Sequence, residues 1–157
     1  MADRDYEPFE VVPFDASCLG EVRRVARDVL CLEYGVRPDL SGEHDLADVA
    51  ASFAPPHSRF LVAKVLGRVV ATAGLCRISD LDCELRHLYV LSQFRRQGIA
   101  SALVKNLIAF VRERGYKRVL LELRPEMEDT AQGYPRYGFV PESSNLPRPG
   151  SFLAIRL

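Results

Sequence analysis

In this chain of 157 residues, 21 lysines and arginines are matched by 21 aspartates and glutamates. No overall field therefore recruits nucleic acid, an anionic membrane or an acidic protein, and any anion site must be local. The length suits one domain over residues 1–157, and 48% apolar residues suffice for a core between helices and strands. Met1–Phe9 is acidic and polar, without an apolar run of signal-peptide length, and nowhere do roughly 18 apolar residues run uninterrupted. A cytoplasmic protein with no membrane partner is expected. Cys18, Cys31, Cys76 and Cys83 lack C-x-x-C spacing and read as buried, reduced thiols.

Phe9–Phe14 predicts a short edge strand, because Val11 and Val12 favour pleated backbone while Pro13 cannot donate within a central ladder. A helix follows: Asp15 or Ser17 can cap it, and Leu19, Val22, Val25, Ala26, Val29, Leu30 and Leu32 recur at helical spacing before Gly35 ends it. From Gly35 to Pro56 the prolines and glycines surround a short helix at Asp45–Phe53 and mark a surface connection of the kind that shapes variable substrate sites. Arg59–Val65 and Arg68–Leu75, rich in β-branched residues and broken at Leu66-Gly67, predict a hairpin of central antiparallel strands. A further strand is expected at Glu84–Leu91.

From Gly98 to Arg114, Ile99, Leu103, Leu107 and Val111 lie four apart with Ala100, Val104 and Ile108 beside them, a broad apolar stripe on one helix. Gly115 supplies its left-handed cap, and Lys117–Leu123 restarts as a strand, so helix and strand form a crossover. A short helix is predicted at Thr130–Tyr137, then a proline-rich loop through Pro149, and Phe152–Leu157 as a closing strand. A mixed sheet flanked by helices uses every element.

The chemistry concentrates where strand meets crossover helix. Gln93-Phe-Arg-Arg-Gln-Gly-Ile-Ala100 leaves the helix's first N–H groups without internal acceptors. Gly98 lets a ligand approach the backbone closely, Ala100 keeps the surface low, and Arg95 and Arg96 add positive charge where the helix dipole already favours an anion. The residues fit a phosphate cradle, with an arginine-bearing solvated cap as the alternative.

The run Arg95-Arg96-Gln97-Gly98-Ile99-Ala100 resembles the R/Q-x-x-G-x-G/A motif of the GNAT superfamily of N-acetyltransferases. The likeness continues through the strand end Leu88-Tyr89-Val90, the crossover helix, Val119–Leu123 and a Y-x-x-x-G-F element at Tyr134–Phe139. It implies a mixed α/β fold whose mostly antiparallel sheet is flanked by helices and splayed at the cofactor site. It further implies acetyl-CoA as co-substrate, its pantetheine on the backbone of Leu88, Tyr89 and Val90 and its pyrophosphate on Arg95, Arg96, Gln97, Gly98, Ile99, Ala100 and Ser101. Met127 stands where many such proteins carry a CoA-contacting asparagine, and Gly133 and Pro135 flank Tyr134 in place of helix-compatible residues. Proteins of this kind commonly dimerise, making a homodimer a further expectation.

The implied reaction passes acetyl directly to a primary amine, which needs a base for the amine and an acid for the departing thiolate. By the resemblance Tyr134 is the acid, with Tyr137 as fallback. Glu84, opening the strand beside the cofactor site, is the candidate base through water, with Glu122 on the facing strand second; a solvated strand-end carboxylate is the alternative for Glu84. His44, His57 and His87 have no partners at metal-ligand spacing, so no metal is implied, and His87 receives no role. A near-neutral chain favours a small or amino-acid-like acceptor shaped by Gly35–Arg59 and Asn145–Gly150. The rival reading is a catalytically silent acyl-CoA sensor. A nucleotide-binding protein is disfavoured by the absence of a G-x-x-x-x-G-K-[ST] sequence.

Overall fold

The computed structural model describes residues 6–37, 44–127 and 132–157. Seven strands form one sheet: β1 (Phe9–Pro13), β2 (Arg59–Val65), β3 (Arg68–Arg77), β4 (Asp82–Val90), β5 (Arg118–Leu123), β6 (Val140–Glu142) and β7 (Ser151–Arg156). Their order is β1-β2-β3-β4-β5-β7-β6. Only β4 and β5 run parallel, because the crossover helix α3 (Ile99–Glu113) joins them; every other neighbouring pair is antiparallel. This is the mixed, mostly antiparallel sheet that the sequence predicts.

The β2–β3 hairpin turns at Leu66 (φ 51) and Gly67 (φ 77), a two-residue reversal with both residues left-handed. Every residue of β3 from Val69 to Cys76 is buried, so both faces of the sheet are covered there, and both α1 (Leu19–Arg27) and α3 pack on it. The apolar stripe of α3 is the heart of the core: Ile99, Leu103, Leu107 and Val111 are all essentially inaccessible. Gly115 (φ 79) ends the helix, with Tyr116 N–H donating to Val111 O at 3.2 Å and Gly115 N–H to Arg112 O at 3.2 Å, a Schellman closure. The four cysteines are free thiols, three of them buried, and burial pushes the Cys76 thiol up to about 11. Among the described residues no helix is long and apolar enough to cross a membrane.

Four elements depart from the sequence expectations. The first helix widens into a π-helical turn at Asp28–Glu33 and closes at Gly35 (φ 66), where Val36 N–H reaches Leu30 O at 2.9 Å. The expected helix at Asp45–Phe53 is split into a 3₁₀ turn, His44–Ala47, and α2, Val49–Ser52. Asp48 breaks it by capping α2, accepting from Ala51 N–H at 3.0 Å. Within the proline-rich loop, β6 pairs with β7 despite Pro141, because β6 is the outermost strand and needs no donor on its free side. Of the helix expected at Thr130–Tyr137, residues 130 and 131 lie outside the described residues; Tyr134–Tyr137 is one 3₁₀ turn with Pro135 in its first turn, where no donor is required.

Gly74 on β3 faces the Phe53 and Phe60 rings, and a methyl there would lie 2.5 Å from Phe53 Cε1 and 2.9 Å from Phe60 Cδ2. Gly74→Ala is expected to destabilise the fold by about 1–3 kcal/mol, since a packed ring must move for one carbon. Chemical denaturation measures it, and an unchanged midpoint refutes the close packing.

Candidate active site

β4 and β5 are hydrogen-bonded neighbours only over Asp82–Arg118, Cys83–Val119 and Glu84–Leu120; beyond Glu84 they part. β4 bulges next: its register against β3 shifts between Arg86 and Tyr89, His87 adopts φ 56, and Thr72 Oγ1 donates to His87 O at 2.7 Å. The bulge turns the last residues of β4 toward the gap. Two cavities open along it, one of about 890 Å³ and one of about 440 Å³, and both are lined by Leu88, Tyr89 and Tyr134.

The larger cavity runs to the start of α3. Arg96 (φ 61) and Gly98 (φ 84) bend the chain so that α3 begins at Ile99 with its first N–H groups facing the groove, which Arg95, Arg96, Gly98, Ile99, Ala100 and Ser101 line with Leu88, Tyr89 and Val90. Space over Gly98 is open: a Cβ there would meet nothing within 4 Å, so nothing in the protein itself fills the cradle. Of the predicted cofactor residues, Gln97 stands apart from the lining, its amide turned back to Gln93 O at 3.3 Å. Arg95 lines the groove, but its guanidinium is held by Val90 O (3.0 Å) and Glu33 (2.5 Å), whereas exposed Arg96 has no carboxylate partner among the described residues. Side-chain charge for an anion therefore comes first from Arg96 and from exposed Arg136, which lines the same groove, and otherwise from backbone donors. The side chain of Met127 lies outside the described residues.

Tyr134 stands where the two cavities meet, only 8% exposed, edge-on to Phe139 at 5.9 Å. Burial, with Tyr137 and Tyr34 nearby, pushes its hydroxyl up to about 12, so it stays protonated at neutral pH. Tyr137, the fallback, lines only the larger cavity, its hydroxyl 3.4 Å from Ser101 Oγ on α3.

The smaller cavity carries alternating charges. Asp45 pairs with His87 Nε2 (2.8 Å) and Arg86 (3.4 Å), Arg86 with Glu84 (3.1 Å), Glu84 with Arg148, and Arg148 with Glu122. Glu84 sits in a different setting from the one the sequence suggests. Instead of a water-accessible strand-end base, it is 1% exposed, with Oε1 on Arg148 Nη2 (2.5 Å) and Oε2 on Arg148 Nη1 and Arg86 Nη2 (both 3.1 Å). Burial raises its pKa, but the arginine hydrogen bonds and charges outweigh that and hold it below the usual carboxylate value. A carboxylate so engaged is a weak proton acceptor; it is the anchor for two guanidiniums. Asp45, likewise lowered because His87 and Arg86 outweigh its burial, and Arg148 were not singled out by the sequence. Arg148 sits between two prolines with no periodicity to mark it. The sequence marks only the Asn145–Gly150 loop that carries it, as a wall of the pocket.

The open mixed sheet, its one parallel pair splayed at a helix N-terminus, is that of the GNAT fold, and the chain belongs to the Acetyltransferase (GNAT) family, whose model matches residues 26–139. Among individual relatives, it is 38% identical over 100 residues to the probable N-acetyltransferase family 8 member 5 of Mus musculus, covering 60% of this chain and 44% of that protein. The chain thus spans under half the length of that relative. Its fold matches a GNAT-family acetyltransferase of Staphylococcus aureus (TM-score 0.87, 17% identity, 95% of this chain and 99% of that one). It also matches the PaiA N-acetyltransferase of Thermoplasma acidophilum, solved with coenzyme A (TM-score 0.79, 16% identity, 96% and 99%).

Glu84→Gln is expected to cost about 2–3 kcal/mol at neutral pH, less than a fully buried pair because both guanidiniums reach solvent. Since the folded carboxyl titrates lower than the unfolded one, this contribution is complete above the ordinary value of 4.5 and is lost as pH falls through the lowered folded pKa. Denaturation curves of wild type and variant should converge in acid; a gap independent of pH would refute the ion-pair account.

Proposed function

We propose that this chain is an acetyl-CoA-dependent N-acetyltransferase that passes acetyl to the primary amine of a small or amino-acid-like acceptor by direct attack. The observation that carries this reading is the junction at Tyr134, where a groove leading from a helix N-terminus meets a charged cavity across the β4–β5 gap. In the proposal, Arg96 and the backbone from Gly98 to Ser101 hold the pyrophosphate, with Arg95, Gln97 and Glu33 framing the loop. Leu88, Tyr89 and Val90 pair with the pantetheine amides as an added strand would. Acetyl-CoA brings the activated thioester. The acceptor enters the smaller cavity, loses its proton through water to Glu122, and attacks the acetyl carbon while Tyr134 protonates the departing sulfur. Glu84 serves as the positioning residue that fixes Arg148. No metal has a part in this scheme.

Three measurements test it. An amine panel followed by free thiol release should show turnover; acetyl-CoA binding with no release for any amine would make the protein a silent acyl-CoA sensor instead. Tyr134→Phe should lower kcat about 100-fold while leaving CoA affinity within a few-fold, and an unchanged rate across pH removes it as the acid. Gly98→Trp should weaken acetyl-CoA at least about 100-fold, because an indole occupies the cradle and the left-handed backbone is strained; unaltered affinity overturns the cradle.

A further inference from the structure

The geometry points to Arg148 as the side chain that reads a carboxylate on the acceptor, making the acceptor an α-amino-acid-like zwitterion. This rests on the acetyl-transfer reading above and deepens it. Arg148 bridges the mouth of the β4–β5 gap, and its two carboxylate partners are unequal. Glu84 is buried and gives both oxygens to the guanidinium; Glu122 is 36% exposed and gives only Oε2, at 3.2 Å from Nε and 2.5 Å from Nη2. Removing Glu84 would strand a buried anion, whereas Glu122 can swing to water at little cost. The cheap exchange is therefore a ligand carboxylate for Glu122, meeting the same planar fork that suits carboxylates bidentately.

The surroundings favour the exchange. The guanidinium is held from below by Glu84 and lies 5.2 Å over the Phe152 ring, while 35% of the side chain stays accessible from the cavity. Its loop is pinned to the sheet by buried Arg118, which donates to Ser144 O (2.6 Å) and Asn145 O (2.8 Å) while paired to Asp82. Arg148 is thus a preset reader on a fixed loop. The cavity lining carries three carboxylates (Asp45, Glu84, Glu122) against three guanidiniums (Arg86, Arg124, Arg148). A polyamine would call for excess carboxylate and an acidic acceptor for excess guanidinium; a balanced lining matches a zwitterion.

The exchange also frees the proton acceptor. With the ligand carboxylate on Arg148, Glu122 is released beside the ligand ammonium and takes one proton from it through water. The nitrogen lone pair then forms the C–N bond, the C–S bond breaks, and sulfur takes the Tyr134 proton. The second proton shed by nitrogen restores Tyr134, and Glu122 returns its own to solvent, so one proton is released per turnover.

Matched pairs of leucine, phenylalanine, serine and lysine, each against its decarboxylated amine, decide it. In wild type at least one amino acid should have a KM about 10- to 100-fold below that of its amine, the worth of a charge-assisted pair, with kcat within a few-fold. Arg148→Gln should bring that ratio to near one, and Arg148→Lys, which keeps charge but loses the fork, should keep part of it. A ratio near one in wild type, or one untouched in Arg148→Gln, overturns the inference. Calorimetry of the same pairs on CoA-loaded protein separates the two claims. If no pair releases thiol, the acetyl-transfer reading fails, yet binding that needs both the ligand carboxylate and Arg148 still upholds the carboxylate site, and its absence overturns that too.

Discussion

Everything functional in this fold follows from the parting of two parallel strands. β4 and β5 share three residue pairs and then separate, which leaves main-chain groups facing a gap that water or a ligand must satisfy. The bulge at His87 makes the separation permanent, because a strand with an extra residue and a left-handed backbone cannot continue a regular ladder. α3 starts a short loop after β4 ends, so its unsatisfied N–H groups and the end of β4 line one groove.

The two sides of that gap recognise in different ways. The groove toward α3 offers backbone donors, glycine space and the exposed arginines Arg95, Arg96 and Arg136. These fit the extended, phosphate-bearing arm of the proposal, and Gln97 stands outside the lining. The cavity toward the β6–β7 loop relies on charged side chains in alternation, each held by the next. Such a chain of charges contributes little net stability once desolvation is counted, so specificity is the more economical explanation for its presence. Tyr134, apolar in its packing and polar at its tip, lines both, together with Leu88 and Tyr89 of β4.

Legibility in the sequence tracked how local each signal is. The α3 stripe, the Gly115 cap, the Leu66-Gly67 turn and the Arg95–Ala100 loop are fixed by spacing within one turn or one hairpin, and all were readable. The strand β6 was missed because Pro141 argues against a strand unless its place at the sheet edge is known, and the helix at Asp45–Phe53 was overextended because Asp48 could as well have been a mid-helix surface residue. The setting of Glu84 was not legible: its residue type and its strand are local signals, but its partner Arg148 lies 64 residues away.

By itself, the sequence determined the sheet-and-helix pattern, the helix N-terminus with its glycine, and the family resemblance, since each depends on residues close together along the chain. Only the tertiary structure decided which carboxylate is buried and which is partly exposed, which tyrosine lines both cavities, and that a loop arginine joins the two carboxylates of the charged cavity. Those are matters of desolvation and of contacts between distant segments, and neither periodicity nor local spacing encodes them.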